Sequence, residues 1–295
     1  MQNDLVFEEQ QYLADNPDVA KAVRDGLARS GRDHFLNYGL KEVRRGVALE
    51  TYVQAHSLRG FTFRNFDPPA YLMKRVHGSP DASSYNAVGR RVGTEVFGRL
   101  MRLDRFGKAP IKICDFGCGP GRVLRHLYEL VVDTGQNLTD FGFSGTDIDP
   151  EPITWAQRFL HQIGDFSVNA SDPPLSFGAE SFDFIYSISV FTHLPEEMQI
   201  AWIKEMHRIA KVGATLVLTT HGDTLLDGDA RSNLADKGFV YVVGSGTAGL
   251  PEFYQIAYHS HKYIRDVWGK FFEIEKIISR GIAGRQDMVV CRRVR

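Results

Sequence analysis

Cysteine is scarce in this sequence, and long apolar runs are missing. The 295 residues include three cysteines, too few for a disulfide framework and typical of a protein made in a reducing compartment. No apolar run reaches the length of about 18 residues that a transmembrane helix needs. The segment Met1–Asp4 also lacks the basic residues and apolar stretch that begin a secretory signal. We therefore expect a cytoplasmic protein without a membrane-spanning segment.

The sequence has no surplus of either charge. Lys and Arg number 35 against 36 Asp and Glu, which gives a formal net charge of −1 at pH 7. Because nucleic-acid-binding domains usually carry a basic surplus, we do not favour nucleic acid as a partner. Cys114 and Cys118 are not followed by a second ligand pair at zinc-finger spacing, so no metal is predicted. With 43% hydrophobic residues, the chain has the composition of a folded protein.

The N-terminal part of the chain divides into a helical unit and an aromatic linker. Within residues 1–50, a helix is predicted to begin at Asn16-Pro17-Asp18. Asn16 suits the N-cap, Pro17 suits the first turn, and Asp18 places an acid near the helix start. Tyr12–Val19 together with Phe35–Gly39 resembles a short helical module that is appended to bacterial surface-polysaccharide enzymes and other large bacterial proteins. Residues 51–84 are rich in aromatic side chains and mostly lack a clear period, so we interpret them as an irregular linker or lid.

From about residue 83 to the end, apolar strand patterns alternate with amphipathic helical patterns. Strands are predicted at Ile111–Phe116, Phe141–Asp147, Phe166–Asn169, Phe182–Ser189, Thr215–Thr220, Phe272–Ile278 and Asp287–Val294. Helices are predicted over residues 83–105, 121–132, 152–162, 196–211 and 262–270, with a loop-rich insertion over 222–256. Such alternation is typical of βαβ units, so the predicted fold class is α/β with a mainly parallel sheet.

The sharpest motif is Ile111–Arg122, in which an apolar strand ends in Asp115 and three alternating glycines lead into a helix. Glycine permits a tight turn and lets a ligand lie against bare backbone, and the N–H groups at a helix start suit an anionic group. The motif lacks the Gly-Lys-Ser/Thr ending of a P-loop, and its glycine spacing is not that of the dinucleotide fingerprint. Asp115 would repel phosphates and attract an ammonium or sulfonium cation. Dinucleotide binding is therefore disfavoured.

A second acid ends the next predicted strand. Asp147 lies 26 residues after Gly121 (147 − 121), where an acid can accept hydrogen bonds from both ribose hydroxyls of a nucleoside. The alternative is an N-cap for the following helix. Asp149, immediately before Pro150, fits that alternative better than Asp147 does.

The sequence from Asp115 to Gly121, Asp-Phe-Gly-Cys-Gly-Pro-Gly, and the sequence from Gly145 to Asp149, Gly-Thr-Asp-Ile-Asp, resemble two motifs of one enzyme family. They are similar to motif I and the following acidic motif of class I S-adenosylmethionine-dependent methyltransferases, over roughly residues 85–295. Segments near the C-terminus resemble a bacterial subgroup often linked to glycan biosynthesis. The resemblance implies a Rossmann-like seven-stranded sheet with helices on both faces, whose last strand is an antiparallel hairpin insertion. It also implies S-adenosyl-L-methionine as the cofactor.

The same resemblance implies a role for each part of the two motifs. Asp147 would bind the ribose, Ile148 would pack on the adenine, and the backbone near Ser187 would close the pocket. The adenine amino group would meet the Asn169 amide oxygen, with Asp172 as the alternative. The methionine portion would lie against the glycine motif, through Asp115, Gly117, Cys118, Gly119 and Gly121.

Histidines follow strands at positions where this fold presents its substrate. A sulfonium methyl group is already electrophilic, so transfer depends mainly on positioning, but a hydroxyl acceptor would benefit from a general base. The candidate bases are His193, His221 and His259. Because ligands bind beyond the carboxyl ends of parallel strands, His193 and His221 are favoured, although each histidine could instead be a structural one. Further candidates for the acceptor pocket are Tyr254, Gln255 and Tyr258.

The predicted function is transfer of a methyl group to a hydroxyl of a sugar, a glycan or another small polar acceptor. One alternative is a non-catalytic S-adenosylmethionine-binding scaffold in a polysaccharide-assembly complex. Another is a protein or RNA methyltransferase. The Asn/Asp-Pro-Pro-Tyr/Phe motif of amino-methylating enzymes is missing after the fourth predicted strand, where the sequence reads Ser187-Ile188-Ser189-Val190.

Overall fold

The computed structural model describes residues 9–35, 38, 67–244 and 250–295. Much of the predicted N-terminal unit and of the predicted linker lies outside the described residues, including 36–37 and 39–66. The predicted helical segment Phe35–Gly39 is therefore described only at its residues 35 and 38. No helix in the described ranges is long and apolar enough to cross a membrane.

Short helices near the N-terminus pack around a small apolar cluster. They are α1 (Glu9–Asp15), α2 (Pro17–Arg24) and α3 (Gly31–His34). Tyr12, Val19 and Phe35 form the cluster. Asn16 stands at the N-cap position of α2 as predicted, but its side chain makes no capping hydrogen bond and instead donates to the Tyr12 carbonyl oxygen at 2.8 Å.

Two further helices precede the sheet, α4 (Ala70–His77) and α5 (Ala82–Leu100). Helix α4 lies inside the segment that was expected to be irregular, so that expectation is wrong for residues 70–77. It begins after Pro69 and ends at Gly78, whose φ is +77°, and it buries Leu72 and Met73. Two adjacent buried residues in a helix of eight leave too little periodicity to be recognised in the sequence.

The strands form a seven-stranded sheet and a separate two-stranded one. In chain order they are β1 (Ile111–Phe116), β2 (Phe141–Asp147), β3 (Asp165–Val168), β4 (Phe182–Ser187), β5 (Ala210–Thr220), β6 (Phe239–Val242), β7 (Ile256–His259), β8 (Glu273–Ile282) and β9 (Gln286–Arg292). The large sheet has the order β3-β2-β1-β4-β5-β9-β8, in which β9 runs antiparallel to both β5 and β8. The other neighbours in this order, β3 with β2, β2 with β1, β1 with β4 and β4 with β5, are parallel. The expected seven-stranded sheet with one antiparallel strand is thus confirmed.

Helices cover both faces of this sheet. The remaining ones are α6 (Arg122–Asp133), α7 (Pro150–Phe159), α8 (Glu196–Ile209), α9 (Gly228–Lys237) and α10 (His261–Val267). One core joins the sheet to α5, α6 and α7 through residues such as Leu124 and Ile153. A second core joins the other face to α8 and α10 through residues such as Trp202 and Ile264. The α/β fold with helices on both faces is therefore confirmed.

The insertion that was expected to be rich in loops is more regular than predicted. Residues 222–256 contain α9 and β6, and β6 pairs with β7 in the two-stranded sheet. Helix α9 buries Leu234 as its one fully buried side chain. A helix with such a narrow apolar side lacks the repeat by which helices are recognised in a sequence.

Candidate active site

The glycine motif forms a tight turn between β1 and α6. Gly117, Gly119 and Gly121 have φ angles of +80°, +53° and +72°, in the left-handed region that glycine adopts at little cost. The Gly117 N–H donates to the Thr146 carbonyl oxygen on β2 at 2.8 Å. A Cβ atom placed on Gly117 would lie 2.1 Å from Val190 Cγ2. The turn is therefore pressed against the loop that follows β4.

Replacing Gly117 with alanine is expected to destabilise the protein more than the same change at Gly135. Both residues have positive φ, +80° and +71°, so both variants carry backbone strain of about 1 kcal/mol or more. No atom lies within 4 Å of a Cβ at Gly135, whereas Gly117→Ala adds an overpacking penalty of about 1–3 kcal/mol. Urea unfolding of the two variants measures this difference, and equal losses of stability would contradict the packing argument.

Asp115 ends β1 beneath the turn and is buried. The Tyr186 hydroxyl donates to Asp115 Oδ2 at 2.8 Å. Burial raises the pKa of Asp115 to about 8, and the charge of Asp147 raises it further, whereas the hydrogen bond from Tyr186 works against the rise. Because burial makes the ionised form of Asp115 costly in the ligand-free protein, a cation bound beside it would stabilise that form. A carboxyl group in this state is therefore a candidate for binding a cationic ligand.

Asp115→Asn is expected to stabilise the ligand-free protein progressively as the pH rises. The pKa of Asp115 is about 8 when folded and about 3.9 when unfolded. Between these values the folded state holds a proton that the unfolded state has released, so wild-type stability falls by up to about 1.4 kcal/mol per pH unit. The uncharged amide has no such dependence. Urea unfolding at several pH values should show the advantage of Asp115→Asn growing over this window, and a constant difference between the two proteins would contradict the argument.

Asp147 ends β2 and is tied to the backbone on both sides. Its Oδ2 atom accepts the Gly119 N–H at 2.7 Å, and its Oδ1 atom accepts the Asp149 N–H at 2.9 Å. Burial raises the pKa of Asp147, although these hydrogen bonds oppose the rise. A carboxylate has about four acceptor positions, so capacity remains for a ligand. Asp149 caps α7 by accepting the Glu151 N–H, which confirms the N-cap expected for Asp149.

A cavity of about 470 Å³ opens above the glycine turn at the carboxyl ends of β1, β2 and β4. Several residues selected from the sequence meet there, namely Asp115, Gly117, Cys118, Gly119, Asp147, Ile148, Asn169 and His193. Other selected residues do not line it, namely Gly121, Asp172, Ser187, His221 and His259. Both acids and one of the histidines therefore face a common space.

The wall after β3 and β4 differs in detail from the expectation. Asn169 lines the cavity; its Oδ1 atom accepts a hydrogen bond from Thr146 at 2.8 Å, and its Nδ2 atom donates to the Ala170 carbonyl oxygen at 2.8 Å. Ser187 is fully buried in β4, and its hydroxyl has no hydrogen-bond partner among the residues that the structure describes. The wall is instead formed by residues 188–190, beyond the end of the strand.

His193 lines the cavity, and its ring is held by the backbone of Gln255. Its Nδ1 atom lies 2.5 Å from the Gln255 carbonyl oxygen. Because a carbonyl only accepts hydrogen bonds, Nδ1 carries the proton and Nε2 holds a lone pair. The ring stacks on Tyr254, with centroids 4.2 Å apart and planes 19° from parallel. Burial lowers the pKa of His193, so the ring is neutral near pH 7.

The other two candidate histidines lie outside the cavity. Burial, with the charge of His193, lowers the pKa of His221 to about 4, and within the described part of the chain its buried Nδ1 atom has no hydrogen-bond partner. His259 is fully buried and lies 2.7 Å from Gln199 Oε1 through its Nε2 atom. Burial lowers the pKa of His259 to about 3. This geometry is that of a core histidine.

Ser189 links the elements around His193, a role that the sequence did not suggest. It has a φ of +62°, which is strained for a residue other than glycine and is often found at functional sites. Its N–H donates to Thr219 Oγ1 at 2.8 Å, its carbonyl oxygen accepts the Tyr254 hydroxyl at 3.0 Å, and its hydroxyl accepts Gln286 Nε2 at 2.7 Å. These bonds hold the ring that stacks on His193.

Helix α4 supplies cavity residues that sequence reasoning missed. Arg75 and Val76 line the cavity. Arg75 bonds Asp149 Oδ2 at 2.5 Å and Glu151 Oε2 at 3.0 Å, so it fastens α4 to the start of α7. Pro69 before the helix and Gly78 after it were the available signals of its ends.

Arg122, the first residue of α6, is a second missed residue. It lines the cavity, and burial lowers its pKa. One guanidinium nitrogen lies 3.1 Å from His77 Nδ1, and the group lies 5.4 Å from the centre of the Tyr85 ring. In the described ranges no carboxylate lies within ion-pair distance of it. A half-buried cation in this state favours an anionic ligand group.

Comparisons with known proteins agree with this architecture. The sequence profile of a family described as a methyltransferase domain matches residues 88–274. Ajmaline N-methyltransferase of Rauvolfia serpentina is 32% identical over 120 residues, which cover 39% of this chain and 37% of that protein. The chain thus matches just over a third of that curated relative.

Solved structures share the fold at low identity. A putative methyltransferase of Haloferax volcanii, solved with its Trm112 activator, is 15% identical with a TM-score of 0.51, covering 76% of this chain and 98% of that one. An S-adenosylmethionine-dependent methyltransferase of Methanosarcina mazei is 20% identical with a TM-score of 0.47, covering 63% and 94%. Because the family profile spans more than half of the chain, the protein belongs to the methyltransferase-domain family, and S-adenosylmethionine is its cofactor.

Proposed function

We propose that the protein transfers a methyl group from S-adenosylmethionine to a hydroxyl of a small acceptor, with a sugar of a glycan as the first candidate. The observation that carries the proposal is His193, which lines the same cavity as the glycine turn and whose Nδ1 hydrogen bond to Gln255 leaves the lone pair on Nε2. A general base at this place suits a hydroxyl, which must lose its proton during transfer. The choice of a sugar as the acceptor rests only on the resemblance of the C-terminal segments to a bacterial subgroup often linked to glycan biosynthesis.

The charges of the cavity support the cofactor proposal in detail. Asp115 would meet the ammonium and sulfonium charges, and Arg122 would bind the carboxylate of the methionine portion. At Gly119 the turn lies close to α4, since a Cβ there would be 3.1 Å from Val76 Cγ1, and the methionine portion would lie against the bare backbone of the turn. Asp147 would accept the ribose hydroxyls, with Ile148 and Asn169 beside the adenine. When bound, S-adenosylmethionine supplies an electrophilic methyl group.

The chain's own contribution to the reaction is positioning and proton transfer. The hydrogen bond from His193 Nδ1 to Gln255 and the stacking on Tyr254 fix the ring so that Nε2 can take the proton of the acceptor hydroxyl. The lowered pKa keeps this nitrogen unprotonated before the reaction. His221 is the second candidate for the general base. Its ring centroid lies 6.2 Å from that of His193. His259 receives no role in this proposal because it is enclosed in the core.

We also propose a division of the chain into a methyltransferase domain over residues 85–295, a linker or lid over 51–84 and a helical module over 1–50. The described end of the linker supports a lid role, since Arg75 and Val76 of α4 line the cavity.

Two measurements test the function. Calorimetric titration with S-adenosylmethionine should show binding, and a folded protein that does not bind it would contradict the proposal. Release of S-adenosylhomocysteine should then be measured with glycans, small alcohols, lipids, proteins and RNA. Transfer to a sugar or small alcohol supports the proposed acceptor. Transfer to protein or RNA alone would favour the alternative of a macromolecular substrate.

A further inference from the structure

The cavity has a charged end and an uncharged wall. Its charged side chains lie on α4, at the ends of β1 and β2, at the start of α6 and at the N-cap of α7, namely Arg75, Asp115, Asp147, Arg122 and Asp149. The uncharged part, here called the acceptor wall, consists of the cavity residues within 188–193 and 250–256. Its apolar and aromatic members are Ile188, Val190, Leu250, Phe253, Tyr254 and Ile256. The described residues of this wall include no carboxylate, lysine or arginine.

The polar side chains of the acceptor wall are largely engaged within the protein. The Tyr254 hydroxyl donates to the Ser189 carbonyl oxygen at 3.0 Å, and the Ser189 hydroxyl accepts from Gln286. The Gln255 amide donates to the Glu252 carbonyl oxygen at 2.8 Å and accepts the Gly244 N–H at 3.1 Å. His193 Nε2 differs, since it has no hydrogen-bond partner among the described residues. The wall therefore offers one unengaged side-chain nitrogen on an otherwise apolar surface.

These features disfavour a negatively charged acceptor. An anion placed on this wall would lose its hydration without gaining a cation, which is costly in an apolar environment. The carboxylate of Asp147, whose charge acts on Tyr254, would also repel it. Arg75 is already paired with Asp149 and Glu151. An apolar or aromatic surface instead stabilises the flat, uncharged face of a ring.

We propose that the acceptor wall selects an uncharged ring whose apolar face packs on Phe253 and Ile256 and whose reacting hydroxyl meets His193. Neutral sugars and phenols share this chemistry, whereas uronic acids, sugar phosphates and phenolic acids lack it. The inference rests on the proposed transfer to a hydroxyl and narrows its acceptor class.

Matched pairs of acceptors test the proposal. Methyl glucoside is compared with methyl glucuronide, and methylcatechol with dihydroxybenzoate, by release of S-adenosylhomocysteine. Affinity for the protein saturated with S-adenosylhomocysteine is measured in parallel, so that acceptors without turnover also report a preference. The neutral member of at least one pair should be favoured by at least about tenfold, and that pair identifies the ring as a sugar or a phenol. The inference is overturned if neither pair shows a preference for its neutral member, whether the two members are used equally or the acid is preferred.

A change of wall charge provides the second test. Ile256→Lys should shift the ratio of kcat/KM towards the acidic member by at least about tenfold, whereas the uncharged Ile256→Gln should not. Phe253→Lys repeats the test at another half-buried position of the wall if Ile256→Lys does not fold. An unchanged ratio in the folded lysine variants overturns the inference. Failure of the proposed function is distinct, because it would show as absent S-adenosylmethionine binding or as full activity of a His193→Asn variant.

Discussion

Replacing His193 with asparagine should lower kcat for methyl transfer by about 10²–10⁴-fold, the usual contribution of a general base. Asparagine can still donate a hydrogen bond towards the Gln255 carbonyl oxygen, but it has no basic nitrogen to replace Nε2. Affinity for S-adenosylmethionine should change little because the charged groups proposed to bind it lie elsewhere. Release of S-adenosylhomocysteine measures the rate, and calorimetry measures the affinity.

The pH profile separates a base from a merely structural histidine. In the wild-type enzyme, kcat/KM should fall as the pH drops through the lowered pKa of His193, because the protonated ring cannot accept a proton. This limb should disappear in His193→Asn. A variant that lost activity but kept the same acid limb would show that another group is the base.

His161 supplies a matched control for this substitution. Its Nδ1 atom also lies near a backbone carbonyl oxygen, that of Arg158, at 3.0 Å, but its side chain is exposed and does not line the cavity. His161→Asn should therefore retain wild-type kcat. If His221→Asn lost activity and His193→Asn did not, the proposed roles of the two histidines would be reversed.

The sequence was a good guide wherever the function depends on backbone shape. Three alternating glycines after a β-branched strand predicted the turn, because only glycine fits positive φ against a neighbour as close as Val190. The alternation of strands and helices predicted the parallel sheet, whose carboxyl edge brings Asp115 and Asp147 to one cavity. These features are local in the chain, and so the sequence specifies them directly.

Features that depend on distant contacts escaped prediction. Three histidines follow strands, but the burial of His259 beside Gln199 depends on packing between α8 and β7 that no local pattern encodes. The position of helix α4 depends on the ion pair between Arg75 and Asp149, two residues that lie 74 positions apart in the sequence. Arg122 follows the glycine motif directly, yet its burial depends on His77 and Tyr85 from helices before the sheet.

Replacing Asp147 with asparagine should weaken S-adenosylmethionine binding by at least about 10²-fold, since hydrogen bonds to charged groups contribute about 1.5–3 kcal/mol each. Two effects combine in this loss. The amide has a single acceptor oxygen for the ribose hydroxyls, and its NH₂ group would face one of the two N–H donors that Asp147 now accepts. Calorimetry gives Kd. Asp183→Asn is the matched control, because that buried carboxylate also accepts a backbone N–H, from Lys112 at 2.9 Å, but does not line the cavity.

A cofactor analogue without the ribose hydroxyls distinguishes the two effects. If Asp147 binds the ribose, the wild-type protein should bind the dideoxy analogue weakly, and Asp147→Asn should weaken it much less than it weakens S-adenosylmethionine. If Asp147 only organises the turn through the Gly119 N–H, both ligands should lose affinity by the same factor. The difference between the two losses is the coupling energy between the carboxylate and the hydroxyls. A coupling near zero would refute the ribose role and leave Asp147 as a support of the glycine turn.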